Sequence, residues 1–175
     1  EMMLSESLDA ISSCGGGELM CEILQYVDFP AIAEAKPKWF MGYSDNTNLT
    51  FLLPVLADTA AIYGPCAAAF GMEPWHKAIQ DALEVLTGRR REVGNYDGWE
   101  KESLKTEEDP FVPYNITEAF ACRSNRKGDI RIKGRLLGGC MDILNNLCGT
   151  GYDRVKDFND RYRDDGVIWF MESCD

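Results

Sequence analysis

Apolar positions in this chain come in short, separated bursts, each followed by a turn or a helix start. Trp39-Phe40-Met41 has strand character, and 46–57 reads as a helix bent near Pro54. Residues 60–63 form a short strand pattern closed by Gly64-Pro65. After Pro74, Ala78, Ile79, Ala82, Leu83 and Leu86 recur at helical spacing, and Gly88 follows as a C-terminal cap. Pro before that helix and Arg89-Arg90-Arg91 after it suit the helix polarity, so the triple Arg reads as a solvated helix end rather than a phosphate clamp. Upstream, Met2, Met3, Leu4, Leu8 and Ile11 make 1–11 read as helical, and 18–27 reads as a second helix beyond the loop 12–17. Downstream, 130–137 alternates as a half-buried strand, Gly138-Gly139 reads as a tight turn, and 141–147 as a short helix. The charged stretch 153–165 reads as a loop, and the fully apolar 167–171 as a buried strand.

Strands alternating with helices predict an α/β protein with a mostly parallel sheet. The expected organisation is an N-terminal α/β domain over 1–95, incomplete at its start, a linker or insertion over 96–129, and the beginning of a smaller mixed α/β domain over 130–175. The middle segment is rich in Asn, Asp, Glu, Gly and Pro with scattered aromatics, as a connection carrying ligand contacts would be. A start inside a helical pattern and an end directly after a strand lead us to expect a fragment of a longer protein.

Composition narrows the partners. The net charge of −11 disfavours nucleic acid and an anionic membrane surface, both of which want Lys and Arg. No apolar run reaches the length of a membrane span and no signal peptide is visible. Seven cysteines, at 14, 21, 66, 122, 140, 148 and 174, show no metal-ligand spacing, so reduced and mostly buried thiols in a cytoplasmic protein are expected, with no metal and no cofactor.

The stretch that carries chemistry is Lys38-Trp39-Phe40-Met41-Gly42-Tyr43-Ser44-Asp45-Asn46-Thr47. A strand run meeting Gly-x-Ser and then a helix start places a serine hydroxyl at the top of a sharp turn. The adjacent helix N-terminus and free backbone N–H groups can hold a developing oxyanion. A nucleophilic serine needs a base and a carboxylate that orients it. The only histidine, His76, sits at a helix start and reads as a surface residue. Glu172, at the C-terminal edge of an apolar strand, is a candidate orienting acid or an ordinary strand-end charge. Gly15-Gly16-Gly17 offers close backbone approach.

Ordered segments then resemble the serine peptidases that include LD-carboxypeptidases and microcin C self-immunity proteins. These are Gly16-Gly17 with Ile23-Leu24 and Val27-Asp28; Pro37-Lys38 with Gly42-Tyr43-Ser44-Asp45, Thr47 and Leu49; Tyr63-Gly64-Pro65; and 134–139 with Leu144, Leu147, Gly149-Thr150 and Phe170-Met171-Glu172. The resemblance implies Ser44 as nucleophile, Glu172 as triad acid, and the backbone N–H groups of Asp45, Gly16 and Gly17 as oxyanion donors. It implies a triad histidine beyond Glu172, so His76 is not assigned that role. It also implies a cytoplasmic hydrolase, commonly a homodimer, acting on a muropeptide L,D bond or on a peptidyl-nucleotide antibiotic. Substrate contacts are expected from Tyr43 and from Tyr96 or Trp99, either of which could stack a nucleobase. Two residues depart from the family pattern: Cys140 where Asn is usual, and Tyr63 where LD-carboxypeptidases often have His.

Overall fold

The computed structural model describes residues 1–173 and divides the chain into two compact units, 1–66 with 133 onward, and 67–132. Cys174 lies outside the described residues. The expected division at 95 differs from this grouping: the helix of residues 77–86 belongs with the middle segment, and the strand beginning at 135 belongs with the unit that holds Ser44.

In the first unit the elements are β1 (Ala10–Ser12), α1 (Met20–Ile23), α2 (Phe29–Glu34), β2 (Trp39–Gly42), α3 (Thr47–Thr50), α4 (Leu52–Ala57) and β3 (Ile62–Tyr63). In the second they are α5 (Lys77–Leu86), β4 (Gly98–Glu100) and β5 (Ile116–Ala119). The first unit resumes with β6 (Arg135–Cys140), α6 (Met141–Leu147), α7 (Val155–Arg161) and β7 (Val167–Glu172). Every paired strand of the first unit is parallel: β1, β2 and β3 form one sheet in that order, and β6 pairs with β7. This is the α/β class expected from the strand and helix alternation.

Several local expectations are corrected. Residues 1–11 are not a helix: a single turn at Met2–Leu4 leads into β1, whose Ile11 registers with Phe40. Pairing with β2, including Trp39 N–H to the Asp9 carbonyl at 3.0 Å, overrides the local periodicity. The stretch 153–165 contains helix α7 because Phe158 is buried in the main core, giving the charged segment one apolar anchor. β7 is not fully buried, since Trp169 and Met171 face outward. Of the described cysteines, only Cys66 and Cys140 are buried; Cys14, Cys21, Cys122 and Cys148 are exposed. The helix break falls at Phe51 rather than at Pro54, because Pro54 has no N–H to donate to the Thr50 carbonyl one turn earlier.

Gly138 and Gly139 do not form a turn. They lie within β6, where a Cβ on Gly138 would sit 1.7 Å from the Phe170 carbonyl oxygen and one on Gly139 would sit 2.5 Å from Thr47 Cγ2. The two glycines let β6 lie against both β7 and the start of α3. The main core then closes around α3 and α4, with Phe40, Leu49, Phe51, Leu52, Leu53 and Val55 buried beside Leu137, Leu147 and Phe158.

The second unit has its own small core of Ala69, Met72 and Ile79, and an antiparallel β4–β5 pair. The buried Asp81 carboxylate is met by Lys77 Nζ at 2.6 Å, Arg90 Nε at 3.2 Å and the Tyr96 hydroxyl at 3.1 Å. The Lys77 hydrogen bond leads in holding Asp81 below the ordinary carboxylate range. A carboxylate depressed in the folded state stabilises at pH above its unfolded value and loses that contribution as pH falls through its folded value. Acid melts from about pH 5 to about pH 2 are therefore expected to be shallower for Asp81→Asn than for the parent chain; parallel profiles would refute this. For β6, Gly138→Ala is expected to destabilise by about 2 kcal/mol or more, as a backbone clash demands. Urea unfolding with a midpoint unchanged from the parent would contradict it.

Candidate functional site

The site begins with backbone geometry. β2 ends at Gly42, Tyr43 remains extended, and Ser44 turns into the left-handed region at φ +60° before a short 3₁₀ turn enters α3. A β-carbon on Gly42 would lie 2.6 Å from Asn46 Cγ, so only glycine lets the Asn46 side chain fold back over the strand end. The serine is half-buried at the turn, and the residues after it, Asp45, Asn46, Thr47 and Asn48, are all buried.

Three of those polar residues are tied to groups distant in sequence, and Asn48 braces Asp45. Asn46 Nδ2 donates to the Gly15 and Tyr43 carbonyls, both at 2.9 Å, and contacts Cys66 Sγ at 3.5 Å. Asp45 Oδ2 accepts the Met20 N–H at 2.9 Å, and its Oδ1 accepts Asn48 Nδ2 at 2.9 Å. Thr47 Oγ1 accepts the Cys140 N–H at 3.0 Å. Cys140, where an Asn was expected, thus acts through its backbone while its side chain is buried.

The glycine loop lies on the serine: a β-carbon on Gly16 would stand 3.3 Å from Ser44 Cβ and 3.4 Å from its Oγ. Gly17 comes next to the Asp45 carboxylate, 3.6 Å from Oδ2 by the same measure. No hydrogen bond among the described residues uses the N–H of Gly16 or Gly17, which leaves both as donors for a negatively charged oxygen beside Ser44.

Glu172 reaches the same place from β7. The Ser44 N–H donates to the Tyr63 hydroxyl at 3.0 Å, and that hydroxyl donates to Glu172 Oε1. Burial, followed by the bond to Glu172, pushes the Tyr63 phenol far above its ordinary range, so it stays protonated and remains a donor. Sequence reasoning treated Tyr63 only as a marker of one family branch. The available signal was its place at the end of a strand next to Gly64-Pro65. Asn46 and Thr47 were read simply as helix; the unbroken polar run 45–48 at a helix start that should face the core was the clue.

Ser44, Asp45, Gly16, Gly17 and Glu172 are therefore gathered at one place, with Tyr43 exposed beside the serine. The other expected contacts belong to the second unit. Tyr96 places its hydroxyl on Asp81, and Trp99 is exposed on β4 opposite Glu118. His76 caps α5, its Nδ1 accepting the Ala78 N–H at 3.1 Å, with its ring edge-on to Tyr96 and Tyr114. Among the described residues no three His, Cys, Asp or Glu side chains group as metal ligands, and no helix is long and apolar enough to cross a membrane.

Comparison with known proteins agrees with this architecture. Residues 1–64 match the LD-carboxypeptidase N-terminal domain of the S66 peptidases. The microcin C7 self-immunity protein MccF of Escherichia coli is 28% identical over 158 residues, covering 86% of this chain and 44% of that protein. The chain is thus similar to the LD-carboxypeptidase N-terminal domain over its first 64 residues and to a microcin C self-immunity protein over most of its length. Among solved structures of similar fold, MccF in complex with glutamyl sulfamoyl guanosine superposes with a TM-score of 0.71 at 22% identity, covering 98% of this chain and 50% of that one. An MccF-like protein of Bacillus anthracis gives 0.66 at 27% identity, over 93% of this chain and 46% of its own. The chain thus spans about half the length of the proteins it matches.

The Asp45 ties give a direct test of how the loop is held against the serine. Asp45→Ala leaves the Met20 N–H without its acceptor and is expected to cost about 1–3 kcal/mol, the range for a buried partner left unpaired. It should also speed hydrogen exchange across 15–20. Unchanged stability together with unchanged exchange would refute the role.

Proposed function

We propose that the full-length protein is a serine hydrolase that cleaves an amide bond through an acyl-enzyme. The observation that carries this reading is the left-handed Ser44 turn with the Gly16-Gly17 loop laid against its hydroxyl. Ser44 Oγ attacks the carbonyl carbon as its proton passes to a general base. The N–H groups of Asp45, Gly16 and Gly17 receive the oxyanion. The intermediate collapses, the amine leaves with the proton returned by the base, and water releases the acyl group by the same steps in reverse.

Glu172 orients the base, which is an imidazole supplied from outside these 175 residues. The cap at Ala78 and the packing against Tyr96 and Tyr114 support leaving His76 out of this role. With Oε1 engaged by Tyr63, Oε2 of Glu172 remains to accept the imidazole N–H, and no described residue hydrogen-bonds it. The active protein is a cytoplasmic homodimer in this reading.

Two substrate classes suit the site. The match of 1–64 to the LD-carboxypeptidase domain supports an L,D-peptide bond of a muropeptide. The likeness over 158 residues to a microcin C7 self-immunity protein supports an aminoacyl- or peptidyl-nucleotide amide. In the second case the exposed Trp99 ring is the better base-stacking candidate, because the Tyr96 hydroxyl is engaged by Asp81.

A serine-reactive fluorophosphonate is expected to label the full-length protein at Ser44, with labelling abolished in Ser44→Ala. No labelling of the parent protein would leave only a ligand-binding role. Incubation with a tetrapeptide muropeptide and, separately, with an aminoacyl-sulfamoyl-adenylate then divides the substrates. Release of D-Ala from the first alone removes the nucleotide reading, and cleavage of the second alone removes the muropeptide reading.

A further inference from the structure

We propose that Tyr63 is a positioning residue for the reaction, coupling the strained nucleophile turn to the acid through one hydroxyl group. This rests on the serine-hydrolase reading above. Its hydroxyl is the only group among the described residues bonded to both the Ser44 backbone and the Glu172 carboxylate.

The chemistry of a phenol suits both ends. Its oxygen accepts the Ser44 N–H, which a left-handed residue turns away from the regular ladder, and its proton goes to Glu172 Oε1. Because the phenol is held protonated, the donor to Glu172 is present throughout the working pH range. The ring is fixed by β3, where Tyr63 registers with Gly42, and lies beside Phe170 at a centroid distance of 5.4 Å. One rigid side chain therefore sets two things: the φ of the nucleophile, and the rotation of the carboxylate that must present its second oxygen to the imidazole. Engaging the Ser44 N–H also withholds it from the oxyanion, leaving that task to Asp45 and the glycine loop.

Removing the hydroxyl while keeping the ring tests this. In the full-length protein, Tyr63→Phe is expected to lower the maximal rate of inactivation by a fluorophosphonate about a hundredfold, the scale of a misplacement near 1 Å, with the probe's half-saturating concentration unchanged. Phe170→Leu loses ring packing but keeps the hydroxyl, and is expected to react within about twofold of the parent. An unchanged rate in Tyr63→Phe, with the parent labelled normally, overturns the positioning role alone. Equal losses in both variants, tracking their melting temperatures, overturn it in favour of packing. An unlabelled parent overturns the hydrolase reading and this inference with it. Should Tyr63→Phe not fold, the parent itself still decides: protection of the Tyr63 hydroxyl proton from solvent exchange, lost in Glu172→Ala, is required, and its absence from the parent refutes the bridge.

Discussion

The left-handed backbone at Ser44 is the constraint on which the first unit is organised. A non-glycine residue in that region costs on the order of 1–3 kcal/mol and persists only where its surroundings over-determine it. Here they do so with unusual density. The N–H of Ser44 is taken by Tyr63, and the following side chains are tied to the glycine loop, to the start of α1 and to the end of β6. The arrangement has a cost of its own: Asn46 Oδ1 is buried with no hydrogen-bond partner among the described residues. A turn built for packing would not need four buried polar side chains in succession, three of them bonded to distant parts of the chain. A turn that must hold one hydroxyl in a fixed direction does.

The parts of the site that were legible in the sequence are local. Gly42-Tyr43-Ser44-Asp45 declares its turn because the glycine, the strand before it and the helix after it are contiguous. Glu172 was readable because it directly follows a strand. The ties between these pieces were not readable, since each is a pair far apart in sequence: Tyr63 with Glu172, Thr47 with Cys140, Asn46 with Gly15. The same reasoning explains the misread elements. Ile11 is a strand residue only because β2 is there to pair with it, and 155–161 is helical because Phe158 has a core to enter.

Gly138-Gly139 is the instructive case. Paired glycines without neighbours in view read as a turn, because conformational freedom is their commonest use. In the folded chain their use is the absence of a side chain. β6 comes close enough to β7 and to Thr47 that no Cβ could be accommodated, and that closeness lets the Cys140 N–H reach Thr47 Oγ1. Without it the helix start that follows the Ser44 turn would lose its link to the strand pair that carries Glu172.

The placement of every candidate group follows from one topological fact. In parallel α/β sheets the loops leaving the carboxyl ends of the strands converge on one edge, and ligands bind there. The glycine loop follows β1, Ser44 follows β2, Tyr63 closes β3, Cys140 closes β6 and Glu172 closes β7. Because the strands within each sheet are parallel, these ends share an edge without any strand having to reverse. The hydrogen bonds from Tyr63 to Glu172 and from Cys140 to Thr47 then join the carboxyl end of the β6–β7 pair to that of the three-stranded sheet. Sheet direction brings the groups to a common rim; the buried polar residues after Ser44 fix their distances there. Neither suffices alone, because parallel strands without those ties would leave Ser44 free to relax from its left-handed turn, and the ties could not span strands running in opposite directions.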